Sequence, residues 1–180
     1  DLTLRVYGGD STTRIQQEIL LGIGGVKLLR ALGETPSVFH MNEGHAAFLA
    51  LELIRERMAA GDDFDAALSA TREESIFTTH TPVPAGHDRF HPGLMSYALN
   101  RYEQHLSLSH KDLMALGRLN ADDEDETFCM TVLALNTARA ANGVSELHGA
   151  VSREMWQGKY VEAVEDVPMG DLSICIHFLG

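Results

Sequence analysis

Apolar and polar positions along the chain follow two different periods, and the changes of period predict its elements. Between Arg14 and Leu32 the apolar residues lie three or four positions apart, which is the spacing of an amphipathic helix. Residues 8 to 13 offer a turn and N-cap candidates before this helix, and Gly33 and Pro36 predict where it ends. Residues 1 to 7 alternate weakly and could form a strand.

Three glycines interrupt the first helix in the run Gly22-Ile23-Gly24-Gly25. A phosphate-binding loop would need a strand before it and the order GxGxxG, and both are missing here. We therefore interpret the run as a place where another backbone packs closely against the helix.

Two short apolar runs, Val38-Phe39 and Ile76-Phe77, predict buried strands because they are too short for helices. Between them, the spacing predicts a helix over 46–58 that Gly61 ends. A short amphipathic helix follows over 64–71, with Asp62 or Asp63 as its cap. This βααβ order is typical of a crossover that joins two parallel strands.

After the second strand the pattern predicts a loop over 86–92 and then a series of helices, at 94–105, 111–116, 128–141 and 144–155. Asn142-Gly143 is expected to close the third of these helices. The acidic run at 121–126 lacks the glycine and the distal glutamate of a calcium loop, so we interpret it as a solvated surface loop. Trp156 is read as a boundary aromatic.

Composition restricts the class of protein. A length of 180 residues with 44% hydrophobic residues is typical of one globular domain. No run is long and apolar enough for a membrane span and no signal-peptide layout is present, so we expect a soluble, cytoplasmic protein. A net charge of −12 with 14 basic residues argues against nucleic-acid or anionic-membrane partners. Cys129 and Cys175 lack metal-site spacing, and Cys129 is expected in the core.

Polar residues come directly after each of the two predicted strands. His40, Asn42, Glu43 and His45 follow the first, and Thr79, His80 and Thr81 follow the second. Ligands of open parallel α/β sheets bind beyond the carboxyl ends of the strands, so a site is predicted there. Pro82 and Pro84 keep the segment after His80 extended.

Plainer interpretations of these histidines stay open. His80 could be a hydrogen-bonded core or surface histidine. The order H-x-x-E-x-H from His40 to His45 matches neither helical zinc signature, so no metal site is expected. His87 and His91 could join His80, but as loop histidines near prolines they are expected to be solvated.

Four segments of the chain together resemble the α-glucan phosphorylases, most of all the bacterial branch. They are YGGDSTTRIQQEILLGIGG, HMNEGHAAF, FTTHTPVPAGHDRF and RAANGVSELHGAVSREMW, in this order. The resemblance covers about residues 5 to 170. It implies an α/β fold that is helix-rich with few parallel strands, part of the Rossmann-like N-terminal domain of a GT-B enzyme.

The same resemblance implies how the chain is divided. Residues 1 to 170 would belong to that N-terminal domain, and the C-terminal domain that binds pyridoxal phosphate would be absent. After Gly170 the family continues into a TNG motif, whereas this chain reads DLSICIHFLG. Residues 171 to 180 are therefore expected to be a non-matching tail, produced by truncation or a change of reading frame.

What the resemblance implies for function is a glycosyltransferase reaction. Such enzymes transfer the terminal α-1,4-linked glucosyl unit of a glucan to inorganic phosphate and release glucose 1-phosphate. Their pyridoxal phosphate relays a proton through its phosphate group, and the lysine that attaches it belongs to the second domain. No cofactor-binding residue is therefore expected here, and the isolated chain is expected to be inactive because half of the site is missing.

Individual residues carry over from the family motifs as follows. His80 matches the histidine that contacts the glucosyl 6-hydroxyl, which makes it the catalytic and substrate-binding candidate. Glu43 and His45 would line the adjacent cleft, and Thr81 joins the substrate-binding set. Asp10 matches an acidic residue of a mobile gating loop, with Gly8-Gly9 permitting its motion. Asn142 belongs to a motif that shapes the same crevice.

Two other functions stay open at this point. A GT-B fragment of a nucleotide-sugar glycosyltransferase would share the fold, and the parent enzyme would contain no pyridoxal phosphate. A non-catalytic glucan-binding module would bind maltooligosaccharides without needing His80. Aromatic residues make up only 7% of the chain, with one tryptophan, which argues against a stacking platform for sugars.

Overall fold

The structure is a computed structural model, and it describes residue 2, residues 9 to 160 and residues 163 to 171. The expected strand at 1–7 (apart from residue 2), Gly8, and most of the expected tail, including Cys175, lie outside this part. The described helices are α1 (Ser11–Ala31), α2 (Leu49–Ala60), α3 (Phe64–Glu74), α4 (Pro92–His105), α5 (His110–Ala115), α6 (Met130–Thr137) and α7 (Glu146–Trp156). The described strands are β1 (Phe39–Asn42), β2 (Ser75–Thr79), β3 (Arg89–Phe90), β4 (Phe128–Cys129), β5 (Ala140–Gly143) and β6 (Met169–Asp171).

The main sheet is parallel throughout and has the strand order β1-β2-β5-β6. Phe39 pairs with Ser75, Ile76 with Ala140, and Ala141 with Met169. The predicted βααβ crossover is confirmed, since α2 and α3 connect the neighbouring parallel strands β1 and β2. The α/β, helix-rich class expected from the sequence is also confirmed.

Helices cover one face of this sheet. Its strands follow one another in chain order in a single direction, and right-handed crossovers then lie on the same side. On that side the sheet side chains are buried, among them Phe39, Met41, Phe77 and Met169. The opposite face carries exposed residues in the described chain, namely His40, Asn42, Ala140 and Gly170. We call this second surface the bare face.

Helix α1 packs directly on the start of α2. Asp10 caps α1 by accepting a hydrogen bond from the Thr13 amide at 2.8 Å. A Cβ atom added to Gly22 would lie 2.6 Å from the Leu49 amide nitrogen, so only glycine permits this approach. The interpretation of the glycine run as a close backbone contact is therefore confirmed at Gly22.

The boundary between α2 and α3 follows the sequence signals. Gly61 ends α2 with a φ of 117°, a left-handed conformation that glycine adopts without strain. Asp63, rather than Asp62, caps α3 by accepting from the Ala66 amide at 2.9 Å. The predicted stop and start are both confirmed.

The helix predicted over 128–141 is confirmed only at its centre, and both of its ends are wrong. This stretch contains strand β4, helix α6 and the start of strand β5. Helix α6 ends where the Thr137 hydroxyl donates back to the Leu133 carbonyl at 2.8 Å. The Arg139 amide then donates to the Ser75 carbonyl at 3.0 Å, which begins the pairing with β2. Asn142-Gly143 therefore lies within the sheet and does not close a helix.

The segment over 86–92 is also more ordered than the loop expected from the sequence. Pro84–Gly86 forms a 3₁₀ turn, and β3 pairs antiparallel with β4. Cys129 is fully buried, as predicted, although it lies on this strand and not on a helix. Within the described residues, no helix is long and apolar enough to cross a bilayer.

Candidate functional site

A cleft of about 730 Å³ opens at the carboxyl edge of β1 and β2. The predicted site residues Asp10, Glu43, His45, His80 and Thr81 all line this cleft. The structure thus brings together five of the six substrate-binding candidates from three separate segments of the chain. The sixth, Asn142, lies elsewhere.

His80 lies exposed at the rim of the cleft, one residue beyond β2. Its Nε2 atom is 2.5 Å from Asn42 Oδ1, at the end of the neighbouring strand. Since the amide oxygen can only accept, Nε2 carries the proton and donates it. In the neutral ring Nδ1 is then an acceptor, and it has no hydrogen-bond partner among the described residues.

Glu43 joins the ends of β1 and β2. One carboxylate oxygen, Oε2, accepts from the His80 amide at 2.7 Å and from the Thr81 hydroxyl at 2.9 Å. The other, Oε1, accepts from the Gly44 amide at 2.9 Å. These charge-assisted bonds fix the backbone that carries His80.

The backbone of Glu43 is strained. Its φ of 83° lies in the left-handed region, which a residue with a Cβ atom rarely adopts. Its amide still donates to the Thr78 carbonyl at 2.9 Å, so the strained residue remains tied to the sheet. Strain of this kind costs on the order of 1–3 kcal/mol and clusters at functional sites.

His45 is half-buried beside Glu43. Burial lowers the pKa of this imidazole, and the nearby Arg14 lowers it further, while Glu43 and Asp88 act in the opposite direction. The lowered pKa favours the neutral ring at pH 7, and a neutral imidazole offers one donor and one acceptor.

His87 is buried, so the expectation that it is solvated is wrong. It has 6% of its surface exposed, its Nδ1 atom is 2.8 Å from the Thr131 hydroxyl, and its ring meets the edge of Trp156 at 4.9 Å. Burial lowers the pKa of His87. Trp156 is likewise buried and not a boundary residue. His91, in contrast, is exposed as predicted.

Arg14 and Asp88 also line the cleft, and the sequence reasoning missed them. Arg14 donates through Nε to Asp88 Oδ1 at 3.0 Å and through Nη2 to Asp88 Oδ2 at 2.7 Å, a bidentate pair. The two residues are 74 positions apart, so no local pattern could pair them. Their only sequence signal is that each belongs to one of the segments that carry the family resemblance.

Asn142 lies on the bare face and does not line the cleft. The Thr78 hydroxyl donates to Asn142 Oδ1 at 3.1 Å, and His40 Nε2 is 2.8 Å from the same hydroxyl oxygen. Because Thr78 uses its single proton on Asn142, it must accept from His40. His40 thus hydrogen-bonds to Thr78 on the bare face. The described residues contain no group of three or more His, Cys, Asp or Glu side chains that could hold a metal ion.

Asp10 is an exposed residue of the cleft lining. The hydrogen bond from the Thr13 amide lowers the pKa of its carboxyl group, which keeps it ionised as the cap of α1. Gly9 before it has a φ of 113°, which glycine alone adopts freely.

The cleft is therefore a polar, open surface whose donors and acceptors are held in fixed directions. Imidazoles, hydroxyls and carboxylates line it, together with Arg14, which is paired to Asp88, and Arg89. Such a surface can hydrogen-bond a ligand that carries many hydroxyl groups.

Comparison with known proteins finds relatives that are phosphorylases, although no family model matches the chain. A glycogen phosphorylase of Mycobacterium tuberculosis is 45% identical over 98% of the chain, and a maltodextrin phosphorylase of Thermococcus litoralis is 40% identical over 96%. A glycogen phosphorylase of Aquifex aeolicus is 30% identical over 99%.

The match covers only part of these relatives. The chain spans 22% of the Mycobacterium tuberculosis protein, 20% of the Thermococcus litoralis protein and 25% of the Aquifex aeolicus protein. It thus corresponds to about a fifth to a quarter of each.

Proposed function

Because the chain belongs to the family of glycogen and maltodextrin phosphorylases, we propose that it forms part of an α-glucan phosphorylase. The reaction is transfer of a terminal α-1,4-linked glucosyl unit to inorganic phosphate, with release of glucose 1-phosphate, in the cytoplasm. The observation that carries this proposal is the identity of 45% over nearly the whole chain. The position of His80 at the rim of the cleft supports it.

The domain arrangement is part of the same proposal. Residues 1 to 170 form part of the Rossmann-like half of a GT-B enzyme, and a second domain completes the site. The bare face supports this arrangement, because parallel sheets are normally covered on both faces. A doubly wound sheet consists of two halves that run outward from its centre and carry their helices on opposite faces. The four strands here, with helices on one face, correspond to one such half.

His80 has the central role in the proposed site. Asn42 holds its Nε2–H, so Nδ1 can accept a hydrogen bond from a sugar hydroxyl, and Glu43 fixes the backbone at this point. The ring therefore orients the glucosyl unit without a rearrangement when the sugar binds. A hydrogen bond of this kind accelerates the reaction only if it strengthens as the glucosyl group develops positive charge.

The other candidates act around His80. A hydrogen bond between Thr81 and Glu43 stabilises the backbone that carries the His80 ring. His45 offers a neutral imidazole to the same ligand. Asp10 lines the same cleft. Asn142 supports the sheet through Thr78 and contacts no ligand in the cleft directly.

Full-length phosphorylases use pyridoxal phosphate, and the cleft in this chain does not fit that group. Attachment needs a lysine, and no lysine is among the residues that line the cleft. Lys159, the lysine whose pKa burial lowers, instead donates a hydrogen bond to Asn136. We therefore place the cofactor outside this chain and route no step through it.

A chimera tests the proposal. The matching segment of the Mycobacterium tuberculosis glycogen phosphorylase is replaced by residues 9 to 170 of this chain, and phosphate-dependent release of glucose 1-phosphate from maltodextrin is measured. We expect an active chimera, with His80→Ala reducing kcat/KM about 10- to 100-fold, the effect of losing one hydrogen bond in an enclosed site. The isolated 180-residue chain should release none.

Two controls make the result decisive. Tyr97→Ala changes a side chain that is 76% exposed on α4 and does not line the cleft, and it should leave kcat/KM unchanged. A folded chimera that contains pyridoxal phosphate but is inactive, or one in which His80→Ala has no effect, would contradict the proposal.

A further inference from the structure

A buried carboxyl group lies directly beneath the Arg14–Asp88 pair. Glu18, one turn after Arg14 on α1, has 1% of its surface exposed. Its Oε1 atom is 3.1 Å from Arg14 Nε, but that nitrogen already donates to Asp88. We call the three residues Arg14, Glu18 and Asp88 the cleft floor.

An ionised Glu18 would be poorly accommodated at this position. Neither of its carboxyl oxygens accepts a hydrogen bond from a described residue, and a buried carboxylate without donors is costly. The nearest cation, Arg14, directs its fork at Asp88. Glu18 Oε1 and Asp88 Oδ1 lie 3.1 Å and 3.0 Å from the same Arg14 Nε atom, so the two carboxyl groups are neighbours. A protonated Glu18 therefore has an O–H group that can donate to the carboxylate of Asp88.

The charges around the cleft floor favour this protonated form. Burial, the negative charge of Asp88 and a hydrogen bond to Asp88 together raise the pKa of Glu18 to about 9, against the smaller opposing effect of Arg14. Burial alone would raise the pKa of Asp88, but hydrogen bonds from Arg14 and Glu18 lower it. His45 is the titratable group that faces the pair from the turn after β1, and in its protonated form it would also favour the ionised Asp88.

We propose that Glu18 is a positioning residue of the cleft, held as a neutral acid that donates a hydrogen bond to Asp88 and so fixes the Arg14–Asp88 pair. Asp88 is also anchored through its backbone, since its carbonyl accepts from the Met130 amide at 3.1 Å. With Arg14 on one side and Glu18 below, the carboxylate of Asp88 has a single orientation in the cleft. This role does not depend on which ligand the cleft binds.

A titration of the unmodified chain gives the first test. The side-chain ¹³Cδ signal of Glu18, assigned by its loss in Glu18→Gln, should keep the shift of a protonated acid through pH 7. We expect it to titrate near pH 9, the raised pKa of the buried acid. A midpoint between pH 4 and 5, the range of an ordinary glutamate, would overturn the proposal.

Two variants separate positioning from simple packing. Glu18→Gln keeps a donor towards Asp88, whereas Glu18→Met keeps the volume and removes the donor. Hydrogen exchange of the Arg14 Nε–H group should stay within about twofold of wild type in Glu18→Gln and become about tenfold faster in Glu18→Met, as expected for loss of one hydrogen bond. Equal exchange in both variants would overturn the proposal.

Stability against pH gives an independent readout. Between the unfolded pKa of 4.5 and the folded pKa of about 9, the folded state holds a proton that the unfolded state has lost. The wild-type unfolding equilibrium constant should therefore rise by up to about tenfold per pH unit across this window, relative to Glu18→Gln. The two proteins should be equally stable near pH 4, and Glu18→Gln should be the more stable above it. Parallel pH curves would overturn the proposal.

Discussion

The carboxylate of Glu43 accepts a hydrogen bond from the backbone amide of His80 at 2.7 Å, across the ends of two parallel strands. This contact joins residues 37 positions apart and fixes the proposed catalytic imidazole to the sheet. The residue that makes it has a left-handed backbone, with a φ of 83°. A strained residue is thus retained where it orients the cleft.

Substitution of Glu43 should separate its side-chain contribution from its backbone strain. Glu43→Ala removes the bonds to His80, Thr81 and Gly44 and should lower the free energy of unfolding by about 1–3 kcal/mol. Glu43→Gly loses the same bonds but relieves the positive φ, so it should be about 1 kcal/mol more stable than Glu43→Ala. Urea unfolding measures both values. Equal stability of the two variants would show that the backbone is not strained.

Two glycines of α1 should respond to alanine in opposite directions. Gly22→Ala places a Cβ atom 2.6 Å from the Leu49 amide nitrogen and should cost about 1–3 kcal/mol through overpacking. A Cβ atom on Gly25 meets nothing within 4 Å, so Gly25→Ala should add up to about 1 kcal/mol of helix propensity. Thermal unfolding of the pair tests this. The idea of close packing between α1 and α2 fails if Gly22→Ala is as stable as Gly25→Ala.

The buried imidazole of His87 should make the chain sensitive to acid. Burial lowers its pKa below the ordinary value of 6.5, so the unfolded state binds a proton more readily than the folded state. The contribution of His87 to stability should therefore be complete above pH 6.5 and fall as the pH drops from there through the folded pKa. Urea unfolding of wild type and His87→Gln at pH 7.5, 6.5 and 5.5 isolates this contribution from that of Glu18, which has the opposite sign.

The control for the pH effect is a residue that cannot titrate. His87→Gln keeps a polar group near Thr131 and should reduce the loss of stability between pH 6.5 and 5.5. His91→Gln, which changes an exposed histidine, should leave that loss as in wild type. An unchanged slope in His87→Gln would mean that His87 is not responsible.

Tyr102 should contribute to stability through its hydroxyl group. It donates a hydrogen bond to Glu52, a fully buried carboxylate that also binds Arg55 at 2.8 Å and 3.0 Å. Tyr102→Phe removes one donor from this buried charge and should cost about 1–3 kcal/mol. Tyr97→Phe, at a side chain that is 76% exposed, should change the free energy of unfolding by less than about 0.5 kcal/mol.

The sequence located the site because it depends on local signals. Polar residues that directly follow short apolar runs mark the ends of parallel strands, and such ends meet at one edge of a sheet. Glu43, His45, His80 and Thr81 were found in this way and do line one cleft. Caps and stops at Asp10, Gly61 and Asp63 were likewise readable, because a cap bonds to its own neighbours in the chain.

Sequence patterns failed where distant pairing decides the structure. The run from Phe128 to Ala141 is apolar enough for a helix, and periodicity cannot distinguish a short buried strand from a helical segment. Ala140 and Ala141 form a strand because β2 and β6 lie on either side and supply hydrogen bonds. His87 has the composition of a solvated loop around it, yet Thr131 and Trp156 enclose it.

The chain by itself thus determined its helix caps, its βααβ unit and the residues that end its first two strands, since these depend on neighbours a few positions apart. Only the tertiary structure decided the strand β5, the burial of His87 and the pairing of Arg14 with Asp88 above Glu18. The physical reason is that a buried polar group or a short strand is stabilised by whatever partner the fold supplies. That partner can lie 74 positions away, as Asp88 does from Arg14.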